Sequence, residues 1–460
     1  MAAANASKYA FLQLKKNRDG EIIKINLAGK TVGVDYYESL YSPQVTCNIS
    51  HIDTGGSVIS KQSGIVGTLK DALPLQGYEQ VSFNIQNESG ILEFGSNGNT
   101  SDRGSGFDNR PFVVSSAPSL VDDAKSQSII IQLVSWYGMQ NAESSISAKY
   151  PVSNISNIVK KILVDWGVSP DNLDIEQTEN EDYIDGNWKT PFSLIMDIAK
   201  KSRPAASGAE PGYFFYETQD GLHFRSIDGL IQEGKSRYNN NTEYRQTHTY
   251  NYNSALQSKL NDPIGNDYNI VTIPNVIRDM NAIKQRLNGL DAVRVVSYNT
   301  ETQEYVENIV DIKSPTTMGD TPNYVEQEDS LNSSNKTALT NPSRTFTYHI
   351  TANEVGSGGI PNLVRNSPIL YEPRAWRRYA LLHSQIVDIQ VPCNLNLRVG
   401  EVIKIYMENL TEDNQIDFVN NPNRSGFYMI LHLCHHFDPS NSFTSLTLTR
   451  DGTGLYPTQS

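Results

Sequence analysis

Hydrophobic and polar residues alternate over much of the chain, and the alternation gives way to helical spacing chiefly in its middle. Val45, Cys47 and Ile49 occupy every second position, and Val81, Phe83 and Ile85 repeat this after a turn at Gln76-Gly77. A period of two predicts strands with one buried face. Ser128–Tyr137 (SIIIQLVSWY) is apolar at successive positions, as in a strand covered on both faces. Between them, Gly95–Asn109 is rich in Gly, Asn and Ser and predicts a loop. Residues 20–140 thus read as a first β-rich region.

Residues 145–235 change character. Ile155, Ile158, Val159, Ile162, Leu163 and Trp166 recur at helical spacing behind Ser153 as N-cap, with Gly167 as the stop. A second helix starts at Thr190-Pro191, presents Phe192, Ile195, Ile198 and Ala199 on one face, and stops at Ser202-Arg203-Pro204. Tyr213–Leu230 (YFFYETQDGLHFRSIDGL) then holds two aromatic-rich runs around the polar turn Glu217–Gly221. Tyr213, Phe215, His223 and Arg225 fit paired strands, and Gly221 supplies the glycine that closes a hairpin loop.

Residues 236–313 form a further α+β segment. A third helix is predicted over Asn275–Asn288, with Val276, Met280, Ile283 and Leu287 on one face and Gly289 as C-cap. Strands follow at Ala292–Val296 and Tyr305–Ile312. The stretch 314–339 is polar, with almost no large hydrophobes, and reads as a loop or insertion. Residues 340–455 form a second β-rich region. Phe346, Tyr348 and Ile350 alternate, and a short helix at Pro373–His383 precedes strands at Ile386–Val391, Val402–Met407, Phe427–Phe437 and Phe443–Thr449. The loop Glu408–Ser425 separates two of these. No repeat of 20–50 residues is visible, which argues against a solenoid or propeller.

Composition narrows the function classes. The 460 residues carry a net charge of −13. Nucleic-acid affinity rests on Lys and Arg displacing counterions, so stable nucleic-acid binding is not expected. Anionic membrane surfaces are disfavoured for the same reason. Three cysteines, Cys47, Cys393 and Cys434, make no disulfide framework and suggest synthesis in a reducing compartment. The first twenty residues lack the pattern of a secretory signal, and no apolar run of about 18 residues predicts a membrane helix.

Candidate chemistry is sparse. Asp53-Thr54-Gly55 matches the aspartic-protease signature, but that chemistry needs two carboxylates sharing a proton, and no second Asp-Thr-Gly exists in the chain. A turn at Gly55-Gly56 accounts for the same residues. His432, Cys434, His435 and His436 have metal-ligand chemistry, yet three of them on one strand face stand about 6.6 Å apart, too wide for one zinc ion without a bulge. Gly356-Ser357-Gly358-Gly359 lacks the strand and helix of a phosphate-binding turn. No nucleophile elbow or Walker loop occurs. No catalytic, cofactor-binding or metal residue is assigned, and no cofactor is expected.

Several motifs occur in a fixed order. Ser128–Tyr137 is followed by Asn141–Tyr150, the helix at Ile155–Trp166 and the Tyr213–Leu230 hairpin. The chain closes with Arg398-Val399-Gly400-Glu401, Ser425-Gly426-Phe427-Tyr428, His435-His436-Phe437 and Leu446-Thr447-Leu448-Thr449-Arg450-Asp451. This order resembles the central baseplate hub protein of contractile-tailed bacteriophages, a family related to the spike and hub proteins of contractile injection systems. The resemblance spans about 350 residues in scattered pieces.

The resemblance implies a mainly β (α+β) fold with two tube-type antiparallel β-barrel domains, at about 20–140 and 340–455, and smaller α+β domains between them. Part of 236–313 could belong to the second barrel. It also implies a non-catalytic homotrimer whose six barrels form a pseudo-six-fold ring. Such a ring joins the hexameric tail tube to the trimeric spike, touches neighbouring baseplate proteins and lines the DNA channel. The expected location is the virion tail baseplate, after synthesis in the host cytoplasm. Two rival readings are a receptor- or carbohydrate-binding tail protein and a peptidase or wall hydrolase using Asp53.

Overall fold

The computed structural model describes residues 7–18, 21–56, 58–59, 66–69, 75–95, 110–122, 126–252, 270–272, 274–278, 287, 293–299, 303, 305–310, 316–322, 344–350, 368–407, 423–438 and 441–454. The amino-terminal region supplies β1 (Lys8–Arg18), β2 (Glu21–Asn26), β3 (Thr31–Ser39), β4 (Thr46–Asp53), β5 (Gln80–Asn87), β6 (Gly90–Phe94), β7 (Phe112–Ser116), β8 (Ser119–Asp122) and β9 (Gln127–Val134). The middle supplies α1 (Trp136–Glu143), β10 (Lys149–Asn154), α2 (Ile155–Asp165), β11 (Leu173–Ile175), β12 (Glu181–Asp185), α3 (Pro191–Ala199), β13 (Tyr213–Thr218), β14 (Gly221–Ser226), α4 (Ile227–Asn240) and α5 (Thr242–Thr247). Then follow β15 (Thr249–Tyr252), β16 (Asn275–Arg278), β17 (Val293–Asn299), β18 (Tyr305–Val310), β19 (Arg344–Ile350), α6 (Pro368–Leu382), β20 (Gln385–Pro392), β21 (Val402–Met407), β22 (Gly426–Phe437) and β23 (Phe443–Arg450).

The fold is mainly β, and one large sheet runs through it. Its order is β16-β20-β23-β22-β3-β4-β9-β7-β5-β1-β2, antiparallel at every step. β6 adds to β5, β8 to β9, and β21 to β22, while β15 joins β21 in parallel. The predicted alternation holds: Val45, Cys47, Ile49, Val81, Phe83 and Ile85 are all buried. A single core runs from Leu14, Phe83 and Ile131 to Ile389, Ile405 and Leu448, so both β-rich regions bury apolar area against each other.

The α+β region has its own core, in which Ile158, Ile162, Phe192 and Ile195 pack against Tyr213 and Phe224 of the hairpin. Thr190 caps α3 by accepting from Ser193 N–H, with Pro191 at the first helical position. Gly167 (φ +103°) ends α2, where Val168 N–H bonds Leu163 O at 3.0 Å. The N-cap of α2 is Asn154 rather than Ser153. The hairpin forms as read: β13 and β14 pair from Tyr213–Ser226 to Thr218–Gly221, leaving Gln219 and Asp220 as the loop.

Other expectations are corrected. The apolar run Ser128–Tyr137 is a strand only to Val134; the Ser135 side chain accepts from Gly138 N–H and starts α1 there. Within β9, Ile129, Ile131 and Leu133 are buried while Gln132 is exposed, so the strand is not equally covered on both faces. Asn275–Arg278 is a strand, not the start of a helix, because Gln385–Pro392 offers it a ladder. Val276 and Leu287 of the predicted helical face are exposed; Met280 and Ile283 lie outside the described residues. Thr316–Pro322, within the predicted polar loop, is packed: Thr317 and Met318 are buried, and Thr321–Pro322 pairs with Gly452–Thr453. The helix expected at Pro373 begins at Pro368. The Phe346 strand, β19, lies parallel to β17 in a separate three-stranded sheet. The predicted loops at 95–109 and 408–425 fall almost wholly outside the described residues.

Candidate functional site at the sheet seam

The two β-rich regions meet where β3 pairs with β22, in a ladder running from Val34–Phe437 to Ser39–His432. The strand period sends Val34, Tyr36 and Glu38, with Leu433, His435 and Phe437, to the covered side. Asp35, Tyr37 and Ser39, with His432, Cys434 and His436, face the other way.

On the covered side, Glu38 ties three distant segments together. Its carboxylate accepts from Tyr36 Oη (2.8 Å), Gln219 N–H (3.0 Å) and Val399 N–H (3.1 Å). Burial pushes its pKa up, against the pull of the nearby Arg398 guanidinium and these donors. Arg398 in turn holds the hairpin loop, donating to Asp220 Oδ2 (3.0 Å) and Gln219 Oε1 (2.8 Å). Glu217, one position before the end of β13, accepts from Val45 N–H (2.9 Å) and Ser135 Oγ (2.6 Å). Burial raises its pKa to about 8, although both donors favour the carboxylate. The aromatic hairpin is therefore a wedge: its tip is hydrogen-bonded to the amino-terminal strands on one side and to the carboxy-terminal region on the other.

The closing motifs make further contacts of their own. Gly400 has φ +85°, and a Cβ there would stand 2.7 Å from Tyr216 Oη of the hairpin. Gly426 has φ +136°, and its missing Cβ makes room for the Arg450 guanidinium, which lies over the Tyr428 ring at 5.4 Å. Asp451 ends the Leu446–Asp451 run in a buried cluster. It accepts from Met318 N–H (2.7 Å) and pairs with Arg378 of α6 at 3.0 Å. Arg378 also pairs with Asp228 of α4 at 2.7 Å and donates to Thr316 O at 2.8 Å. Arg378 is fully buried with two carboxylates. Burial opposes its charge, yet their fields raise its pKa.

The uncovered side of the seam is a different surface. A groove of about 670 Å³ crosses it, lined by Tyr37, Asn275, Asp388, His432, Cys434 and Thr447 among others. Among the described residues no lysine or arginine lines it. Hydroxyl, amide, imidazole and carboxylate groups stand there among the apolar side chains of Ile389, Leu433 and Leu446, and cations are few.

The residues singled out for chemistry have structural explanations here. Asp53 is buried and accepts from Lys30 Nζ (2.7 Å), Gly55 N–H (3.0 Å) and Leu69 N–H (2.6 Å), so it organises the Gly55-Gly56 turn. His432, Cys434 and His436 share one strand face without converging. His436 Nδ1 pairs with Asp35, and the His432 ring lies 5.4 Å from that of Tyr41. His435 points to the opposite, buried side. Among the described residues no group of three or more His, Cys, Asp or Glu is placed to hold a metal. All three cysteines are free thiols. Gly356–Gly359 lies outside the described residues.

Sequence reading missed Glu38 and Arg378. Parity flags Glu38, an acid on the inward side of β3 together with Val34 and Tyr36. Glu217, Asp228, Arg398 and Asp451 were within the quoted motifs, but nothing local announced their partners.

No family model matches the chain, and no curated protein matches it. Solved structures resemble it at low identity. A tail protein from Neisseria meningitidis MC58 is similar at 10% identity and TM-score 0.49, over 96% of this chain and 96% of its own. The 43 kDa tail protein of prophage MuSo2 from Shewanella oneidensis is similar at 9% identity and TM-score 0.48, over 96% and 98%. The Francisella PdpA-VgrG complex is similar at 7% identity and TM-score 0.48, over 99% of this chain and 54% of that one.

Proposed function

We propose that this chain is a structural virion protein, the trimeric baseplate hub of a contractile tail or of a related injection machine. Each protomer contributes two tube-type modules, one from about 20–140 and one built on β20, β21, β22 and β23 that also recruits β15 and β16, with β19 of the expected 340–455 range standing apart. Three protomers then present six modules. That ring meets a hexameric tail tube on one face and a three-fold spike on the other, with neighbouring baseplate proteins around it. The protein acts through interfaces and carries out no catalysis.

The observation that carries this reading is the β3–β22 ladder, which fuses two antiparallel β-rich regions from opposite ends of the chain into one sheet. A trimer of such chains mimics a hexamer because each chain supplies the repeated element twice. Part of the motif set quoted for the resemblance adds support: Ser135, Arg398, Val399 and the strand His435-His436-Phe437 all sit at the joint between the regions. In this reading the cation-poor face of the seam lines the channel. Phosphate affinity rests on Lys and Arg, so DNA passes a cation-poor wall without adhering.

Native mass spectrometry of the purified protein tests the reading. The expected result is a three-chain mass that grows on mixing with the tube subunit and, separately, with the spike. A single-chain mass that neither partner changes would overturn it.

A further inference from the structure

His435 sits on the covered side of the seam, directly opposite Tyr36 in the ladder between the two regions. It is fully buried, and its ring stacks on Tyr36 at 6.0 Å with a 12° interplanar angle. The Phe437 ring lies 6.0 Å away on the same strand. Nδ1 shares a hydrogen bond with Thr444 Oγ1 of β23 at 2.9 Å, and Nε2 has no hydrogen-bond partner. A neutral imidazole tolerates this by keeping Nε2 bare. An imidazolium carries N–H on both nitrogens and would bury one of them unpaired.

The surroundings add no counter-ion. From β3, Tyr36 presents its ring and spends its hydroxyl on Glu38. Glu38 is committed to three donors, and Arg398, on the loop before β21, supplies a positive charge that opposes protonation. From β23 only the neutral Thr444 hydroxyl reaches the ring. On β22 itself, Cys434 and His436 point to the other side of the sheet.

We propose that the seam is an acid-released joint: protonation of His435 parts β3 from β22 while the ladders inside each region hold. Burial, reinforced by Arg398, lowers the His435 pKa to about 3 in the closed seam. An opened seam restores a value near 6.5. The closed form is therefore at full strength above about pH 6.5. Below that, the open population rises about tenfold for each unit of pH until the closed form itself titrates.

Hydrogen exchange read by mass spectrometry, corrected for the intrinsic pH dependence of amide exchange, tests this on the full-length protein. Peptides covering 34–39 and 432–437 should lose about tenfold in protection between pH 6 and pH 5. Peptides covering 47–49 with 129–133, and 387–391 with 444–449, should lose little. His435→Leu should abolish the pH dependence at the seam. Equal loss in all four regions, or a seam loss that persists in His435→Leu, would overturn the proposal. Should His435→Leu not fold, the wild-type imidazole resonance decides by NMR: no titration of the folded signal above about pH 4 is required, and titration near pH 6.5 refutes it.

Discussion

Val399 N–H donates to Glu38 Oε2 across 361 positions of the chain, at 3.1 Å. The bond joins β3, near the amino terminus, to the loop that precedes β21, and the same carboxylate holds the hairpin tip. One buried acid thus references three segments to each other. Removing it orphans two backbone donors and a phenol in a dry site, and such groups cost about 1–3 kcal/mol each. Glu38→Ala should lower unfolding stability by about 3 kcal/mol or more, read as a fall in the denaturant midpoint. A change near zero would show that Glu38 does not tie the segments.

Glu217 makes stability fall as pH rises from about 4.5 to about 8. In the folded state it keeps its proton up to about pH 8, whereas an ordinary glutamate releases it near 4.5. Its contribution is full below pH 4.5 and is lost as pH rises through 8. Glu217→Gln mimics the protonated form and should flatten this decline by up to about 1.4 kcal/mol per pH unit over that window. Thermal denaturation from pH 5 to 9 checks it. Parallel curves for the two proteins would contradict the assignment.

Gly400 and Tyr216 form a steric pair. Alanine at 400 meets both a left-handed backbone and the Tyr216 hydroxyl at 2.7 Å. Gly400→Ala should cost about 1–3 kcal/mol. Adding Tyr216→Phe should restore only the steric part, leaving a residual loss from φ. In a double-mutant cycle, a coupling of zero would mean that the hydroxyl does not fill the space beside Gly400.

The parts of this fold legible in the sequence are those decided locally. The hairpin at Tyr213–Ser226 follows from alternation and a glycine after a polar loop, and α3 from Thr190-Pro191. Where distant strands decide, local spacing misleads. Val276 fits a helix on paper, but Asn275–Arg278 takes the edge of β20 because a ladder satisfies its backbone groups there, while Leu287 further on is helical. Trp136 and Tyr137 extend an apolar run, yet the Ser135 cap turns the chain into α1. The seam was the least visible feature. Glu38, Arg398 and Glu217 are neighbours only after β3 meets β22, and no spacing rule encodes that meeting.

The central claim is that two similar modules per chain let three chains imitate six. Cryo-electron microscopy of the assembled protein, viewed down its axis, tests it most directly. The account predicts a ring with true three-fold symmetry in which six like densities surround an open channel. A ring with only three such densities, or isolated single chains, would contradict it.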